Sequence, residues 1–234
     1  TWAGLPLAFQ PGTAWCYSVS TDVLGRLVEV LSGQSLDVFL AERILGPLGM
    51  VDTAFGLAED QRSRLAALHV PDPASRKAVR FDELAPVSRT VPSFLSGGGG
   101  LVSTADDYLR FCDFLLRQGE RNGVRLLSPR TVDYMTRNHL PGGSDLAGYA
   151  RSMFAETAYA GVGFGLGFSV VVDPAANKVL TSPGTFSWGG AASTGFYVDP
   201  VEEVTALFMT QLLPSSTWPL RSQLTQLVSQ AILA

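Results

Sequence analysis

The chain has 234 residues, 46% of them hydrophobic and 16% charged, with a formal net charge of −4; this excludes a disordered or fibrous chain and leaves enough apolar mass for a sizeable core. The acidic balance, without a cluster of basic residues, excludes nucleic acid as a partner. No apolar run approaches the roughly 18 residues that a membrane span needs.

The start, Thr1-Trp2-Ala3-Gly4, has neither an initiator Met nor the basic, then apolar, pattern of a signal peptide. The expectation is a cytoplasmic chain that begins inside something longer. Residues 1–16 carry Pro6, Pro11 and Gly12 and read as an extended approach to Trp15-Cys16-Tyr17-Ser18. A helix follows, capped by Ser20 or Thr21, with Leu24, Leu27, Val28 and Leu31 as its core face and Gly33 as its left-handed stop. Ser35 caps a second helix, with Leu36, Phe39, Leu40 and Ile44 inward and Gly46-Pro47 as its end, so that the two form a hairpin. A short amphipathic helix is predicted between Ala58 and Val70. The proline-rich stretch 71–92 reads as loop with some strand, a lid or rim.

Ser96 followed by Gly97 through Gly100 is the most flexible segment by composition, a hinge or tight loop. Ser103 caps the next helix, with Asp106 completing a capping box and Tyr108, Leu109, Cys112, Leu115 and Leu116 on one face before Gly119. Ser128-Pro129 opens another helix, to about Asn138. Residues 140–162 read as irregular and could line a substrate mouth.

From Phe168 the apolar period changes from 3.6 to 2, and 168–173, 178–181, 194–198 and 201–209 are predicted strands, joined by tight turns into an antiparallel meander. A last helix covers Leu220 to Leu233. Helices, then an antiparallel sheet, then a closing helix give an α+β fold in a single domain over 1–234. Cys16 and Cys112, in apolar and aromatic surroundings without CxxC spacing, read as reduced core residues.

Chemistry narrows by elimination. There is no G-x-S-x-G elbow. His69 and His139, the two histidines, lack metal spacing and read as surface or capping residues. The glycines over 161–167 lead into a strand rather than a helix, so they make no dinucleotide fingerprint. No metal or cofactor is expected. Two features remain. Phe186-Ser187-Trp188-Gly189-Gly190-Ala191-Ala192 is either a glycine bend beside a strand or an active-site wall, where small residues let backbone N–H groups approach a ligand. Tyr17, just before a helix, is either a half-buried packing residue or a general base. A phenol of pKa about 10 serves as base at neutral pH only beside a cation, and the chain holds two lysines, Lys77 and Lys178.

Pro11-Gly12-Thr13-Ala14-Trp15-Cys16-Tyr17-Ser18, Leu24 through Gly33, Pro47-Leu48-Gly49-Met50-Val51-Asp52-Thr53, Ser96 through Thr104 and Trp188-Gly189-Gly190-Ala191 together resemble the serine β-lactamase-like family. Within it they are similar to the carboxylesterases and acyltransferases related to class C β-lactamases and penicillin-binding proteins. The resemblance spans nearly the whole chain and implies a β-lactamase/transpeptidase-like fold. It implies an S-x-x-K motif carrying the nucleophile and its activating lysine, a Y-x-N motif whose tyrosine is the base, and a third motif, K-T-G or H-x-G, on an edge strand. Tyr17-Ser18-Val19 corresponds to the second, with Val19 in place of Asn. Trp188-Gly189-Gly190 corresponds to the third, with Trp188 in place of the cation, which makes Trp188, Gly189 and Gly190 substrate-binding residues and the Ala191 N–H an oxyanion donor.

S-x-x-K does not occur here; Ala74 precedes Lys77 at −3, and Ala175 precedes Lys178. The expectation is therefore a domain incomplete at its N-terminus, partnered by an N-terminal fragment or chain that carries Ser and Lys. Its substrate would be a small-molecule ester, hydrolysed through an acyl-enzyme. Because Trp188 offers an indole N–H where relatives offer a cation, neutral acyl groups are expected over β-lactams. The alternatives are a β-lactamase or D-peptidase-type penicillin-binding protein, and a non-catalytic ligand-binding subunit.

Overall fold

The computed structural model describes residues 4–17, 19–81, 92–150 and 159–232. Helix α1 (Ser20–Ser32) begins at Val19, which makes no side-chain cap, and ends at Gly33 with φ 71°. Its apolar stripe is not covered. Leu24, Leu27 and Leu31 are 56, 48 and 78% exposed, and the helix buries only Gly25. The hairpin with α2 (Leu36–Leu40) forms, but Glu29 rather than Ser35 caps it, its carboxylate accepting the Leu36 N–H at 3.1 Å. Beyond α2 the chain passes through a π turn, Ala41–Leu45, into α3 (Gly46–Leu48) and stops at Gly49, φ 71°. The predicted stop at Gly46-Pro47 is overrun because the wider turn makes room for a proline that lacks an N–H and would press on the preceding carbonyls.

The helix expected over 58–70 is instead a 3₁₀ turn, Glu59–Arg64, followed by β1 (His69–Pro71), which pairs with β2 (Ala78–Arg80). Asp52 draws the turn back by accepting from Arg64 at 2.5 Å and Gln61 at 3.1 Å. The expected rim is thus a short hairpin as far as residue 81, and its remainder, 82–91, lies outside the described residues. Helix α4 (Ala105–Leu116) is capped by Thr104, whose hydroxyl accepts the Asp107 N–H at 3.2 Å, one residue later than the predicted Ser103–Asp106 pair. Asp107 itself points inward, accepting from the Asp52 N–H (2.7 Å), the Thr53 hydroxyl (3.0 Å) and Arg110 (2.6 Å). After the hairpin β3 (Glu120–Arg121) and β4 (Val124–Arg125), Ser128 caps α5 (Pro129–Met135) by accepting the Thr131 N–H at 3.1 Å. A short α6 (Leu146–Tyr149) follows.

The main sheet has the order β5 (Val162–Phe164), β6 (Ser169–Val171), β7 (Phe186–Gly189), β8 (Gly195–Asp199), β9 (Val204–Phe208), every neighbour antiparallel. The meander is as predicted, but not every strand is. Residues 178–181 form none, because Asp173 caps α7 (Pro174–Asn177), accepting the Ala175 and Ala176 N–H groups, and Lys178 turns the chain away at φ 60°. The strand lies instead at Phe186–Gly189, on the candidate wall itself.

Strand alternation sends Phe196 and Val198 into one core with Cys112, Phe114 and Leu115 of α4 and Phe186 of β7. The opposite face of β8, with Tyr197 on it, meets α8 (Leu220–Ala231). Asp199 closes the β8–β9 turn by accepting the Ser182, Val201 and Glu202 N–H groups and the Thr185 hydroxyl, at 2.9 to 3.2 Å. Among the described residues no helix is long and apolar enough to cross a membrane.

Candidate active site

Register explains why β7 can serve as a wall. It is the central strand rather than an edge, a correction to the expectation for the third motif. Yet β6 pairs only with Phe186 and Ser187, whereas β8 pairs along the whole strand to Gly189. Trp188 and Gly189 therefore have one strand neighbour, and β7 becomes an edge just where it leaves the core. Beyond it, residues 190–194 form a tight turn. Thr194 O accepts the Gly190 N–H at 3.0 Å and Gly190 O accepts the Ser193 N–H at 3.1 Å. Ser193, buried and at φ 69°, donates its hydroxyl to Leu212 O at 2.6 Å. Ala191 sits exposed at the turn, and its N–H makes no hydrogen bond among the described residues.

Tyr17 and Trp188, distant in sequence, stack with ring centroids 5.7 Å apart and 26° between planes. Trp15 and Phe164 close the set: Trp15 lies 6.1 Å from Tyr17 and 5.1 Å from Phe164, and Phe164 meets Trp188 edge-on at 5.4 Å. Four rings in a circuit hold Tyr17 by aromatic contact on two sides. Tyr17, Trp188, Gly189, Gly190 and Ala191 all line one cavity of about 640 Å³, which Ser187, Lys178 and Arg221 also border. Every predicted site residue is thus on one surface. Ser18 lies outside the described residues, as do 151–158 of the expected substrate mouth; Tyr159 and Val162, at its end, do reach the cavity.

Three parts of the site were not read from the sequence. Of the two readings of the Ser96–Gly100 run, the structure has the tight loop, closed by the Gly100 N–H on Ser96 O at 3.2 Å, but its packing role was not foreseen. The Ser96 hydroxyl donates to Asp22 at 2.5 Å, and a Cβ at Gly97 would strike the carbonyl oxygen of Thr21, so the run clamps the first turn of α1, directly after Tyr17. The signal available was a polar residue beside consecutive glycines, which permits backbone-to-backbone approach. The glycines at 163 and 165 are also packing devices: a Cβ would meet the Asn138 side chain at Gly163 and the Met135 carbonyl at Gly165. Third, Arg221, at the start of α8, donates to Thr194 O at 2.9 Å and Gly190 O at 2.5 Å. A guanidinium therefore borders the cavity from the α8 side although position 188 holds an indole.

Cys16 and Cys112 are both free. Burial pushes the Cys112 thiol up to about 12. Cys16 departs from the expected core position: it is only partly buried, and its thiol lies 3.7 Å from Tyr17 O. His69 and His139 bond the backbone, to Ala67 O and Tyr134 O. Among the described residues no cluster of His, Cys, Asp or Glu could hold a metal ion.

A family model described as Beta-lactamase matches residues 2–230. Protein Rv1367c of Mycobacterium tuberculosis is 41% identical over 215 residues, covering 91% of this chain and 52% of that one. Esterase EstB of Burkholderia gladioli is 33% identical over 223 residues, covering 89% of this chain and 52% of the esterase. Among solved structures, simvastatin synthase (LovD) of Aspergillus terreus superposes with a TM-score of 0.80 over 98% of this chain and 59% of its own, at 24% identity, a likeness of fold. The chain spans about half the length of the relatives it matches.

Proposed function

The chain belongs to the beta-lactamase family, and on that premise we propose that it forms the base-and-oxyanion half of a serine hydrolase acting on small-molecule carboxylic esters. The observation that carries this reading is the meeting of Tyr17 with the Trp188–Ala191 wall around one cavity, in a chain 33% identical to an esterase. The nucleophilic Ser and its Lys would come from a segment outside these 234 residues. The length of the relatives and the uncovered apolar stripe of α1 support that part.

The roles follow from the chemistry of each group. The serine oxygen attacks the ester carbonyl as its proton passes to the Tyr17 phenolate, which the lysine's charge stabilises. The carbonyl oxygen becomes negative and receives the Ala191 N–H. Collapse breaks the bond to the alcohol oxygen, which takes the proton from Tyr17 and leaves the acyl group on serine. Water then attacks the acyl-enzyme with Tyr17 again accepting the proton, releasing the acid and the free serine. The Trp188 ring supplies an apolar flank for the ester.

The test is to express the chain together with the upstream segment of its parent gene and compare hydrolysis of p-nitrophenyl esters with that of nitrocefin. Ester hydrolysis and fluorophosphonate labelling of a serine are expected. Dominant nitrocefin turnover would place the protein with the β-lactamases, and absence of both turnover and labelling would make it a ligand-binding subunit. Adding an alcohol acceptor tests acyl transfer, the activity in the name of the 28%-identical monacolin J acid methylbutanoyltransferase of Aspergillus terreus.

A further inference from the structure

We infer that Arg221 is a positioning residue for the oxyanion donor, fixing and polarising the one peptide unit whose N–H faces the reacting carbonyl; this deepens the reading above and rests on it. Gly190 C=O and Ala191 N–H belong to the same peptide plane. In a trans peptide they point in opposite directions, so a bond to one end sets the aim of the other. Arg221 Nη2 donates to Gly190 O at 2.5 Å and its Nε donates to Thr194 O at 2.9 Å. One guanidinium therefore grips both ends of the five-residue turn in a two-point geometry that a single ammonium does not reproduce. A cation on the carbonyl also draws electron density from the amide, making the Ala191 N–H a stronger donor.

The sequence is shaped to admit this side chain. Gly189 and Gly195 are direct cross-strand partners, so they share one face of the sheet, the face toward α8. A Cβ at Gly189 would run into the guanidinium, and one at Gly195 would stand 2.9 Å from Arg221 Cγ. The two missing side chains open a slot through which Arg221 reaches the turn. Trp188 and Phe196, the next cross-strand pair, face the opposite way, Phe196 into the core and Trp188, half-buried, against its edge beside Tyr17. The first glycine of the W-G-G stretch is thus explained by what lies behind the strand as well as by what lies in front.

The experiment uses the full protein with its upstream segment and the variants R221Q, R221K and G195A. For R221Q, kcat should fall roughly 10- to 100-fold, short of the loss of a whole oxyanion donor, with KM changed less than about threefold. Affinity for a boronate, whose oxygen occupies the oxyanion position, should fall in step with kcat/KM. R221K should recover only part of kcat. G195A keeps the charge but blocks the slot and should behave like R221Q, and the double variant should be no worse than either single one; it also serves if R221Q fails to fold. In parallel, the amide proton of Ala191 should move upfield in R221Q by NMR. Wild-type kcat and an unchanged Ala191 resonance in R221Q would overturn the inference. A protein that hydrolyses no ester yet shows the Ala191 shift would overturn the functional reading and leave the positioning role standing.

Discussion

The two walls of the cavity are built differently. The sheet wall, β7 with the 190–194 turn, is pinned from every side: Phe186 is buried in the core, Ser193 bonds Leu212, and Arg221 holds two carbonyls. The helical wall, Tyr17 and α1, rests on ring contacts, the Gly97 clamp and one glycine, and turns its leucines to water. An oxyanion donor must stand ready before charge develops, which demands rigidity. The helical wall is left with an uncovered face, and on the proposal that Ser and Lys come from a further segment, that face is where the segment would join.

The largest test of this asymmetry is Tyr17→Phe in the protein with its upstream segment. The ring circuit survives, so the fold should be unchanged by circular dichroism. Ester kcat should fall about 10²–10⁴-fold, the usual weight of a positioned acid–base group. Retained activity would remove Tyr17 from the chemistry and leave the helical wall a merely structural one.

Next comes Gly97→Ala. Its Cβ meets the Thr21 carbonyl, a backbone atom that yields only if the first turn of α1 moves. Overpacking of this kind costs about 1–3 kcal/mol, read as a lower denaturant midpoint at constant slope. A neutral result would mean that the clamp does not hold the helical wall.

The sheet wall has its own weakness, toward acid. Burial raises the Asp199 carboxyl, but the N–H groups of Ser182 and Glu202 and the Thr185 hydroxyl outweigh it and hold the group below its ordinary value. A depressed carboxylate stabilises the fold above its unfolded pKa of about 3.9, and that contribution is lost as pH falls through the lower, folded pKa. Asp199→Asn should therefore lower stability at neutral pH and flatten the decline below about pH 4 in a thermal melt series. Parallel curves for the two proteins would show that another group governs the acid limb.

What the sequence could convey divides along the same line. The meander, the closing helix, the caps at Ser128 and Gly33 and the joining of Tyr17 to Trp188–Ala191 were legible, because period, turn chemistry and a resemblance point to them directly. The slot for Arg221 was not. It depends on Gly189 and Gly195 being opposite each other, which is a matter of register, and on a helix whose Arg221 comes 26 residues after Gly195. The strand at 186–189 is hard to read in sequence because glycine and serine hide a strand's pattern, whereas 178–181 carries the pattern without forming the strand. The stripe on α1 was legible as a stripe, but which element covers a stripe is a property of its partner.

That partner sets the smallest effect. In the 234-residue chain by itself, Leu31, at 78% exposed, contributes little burial, so Leu31→Ser should shift stability by no more than about 0.5 kcal/mol. Leu115, at 2% exposed, should lose about 2–5 kcal/mol as Leu115→Ala in the same assay. Adding the upstream segment sharpens the contrast. If that segment seats on α1, Leu31→Ser should then weaken the longer protein by about 1–3 kcal/mol, the value of burying a leucine side chain. If Leu31→Ser stays neutral there too, the segment packs elsewhere, and the apolar face of α1 is not the seam between the two halves.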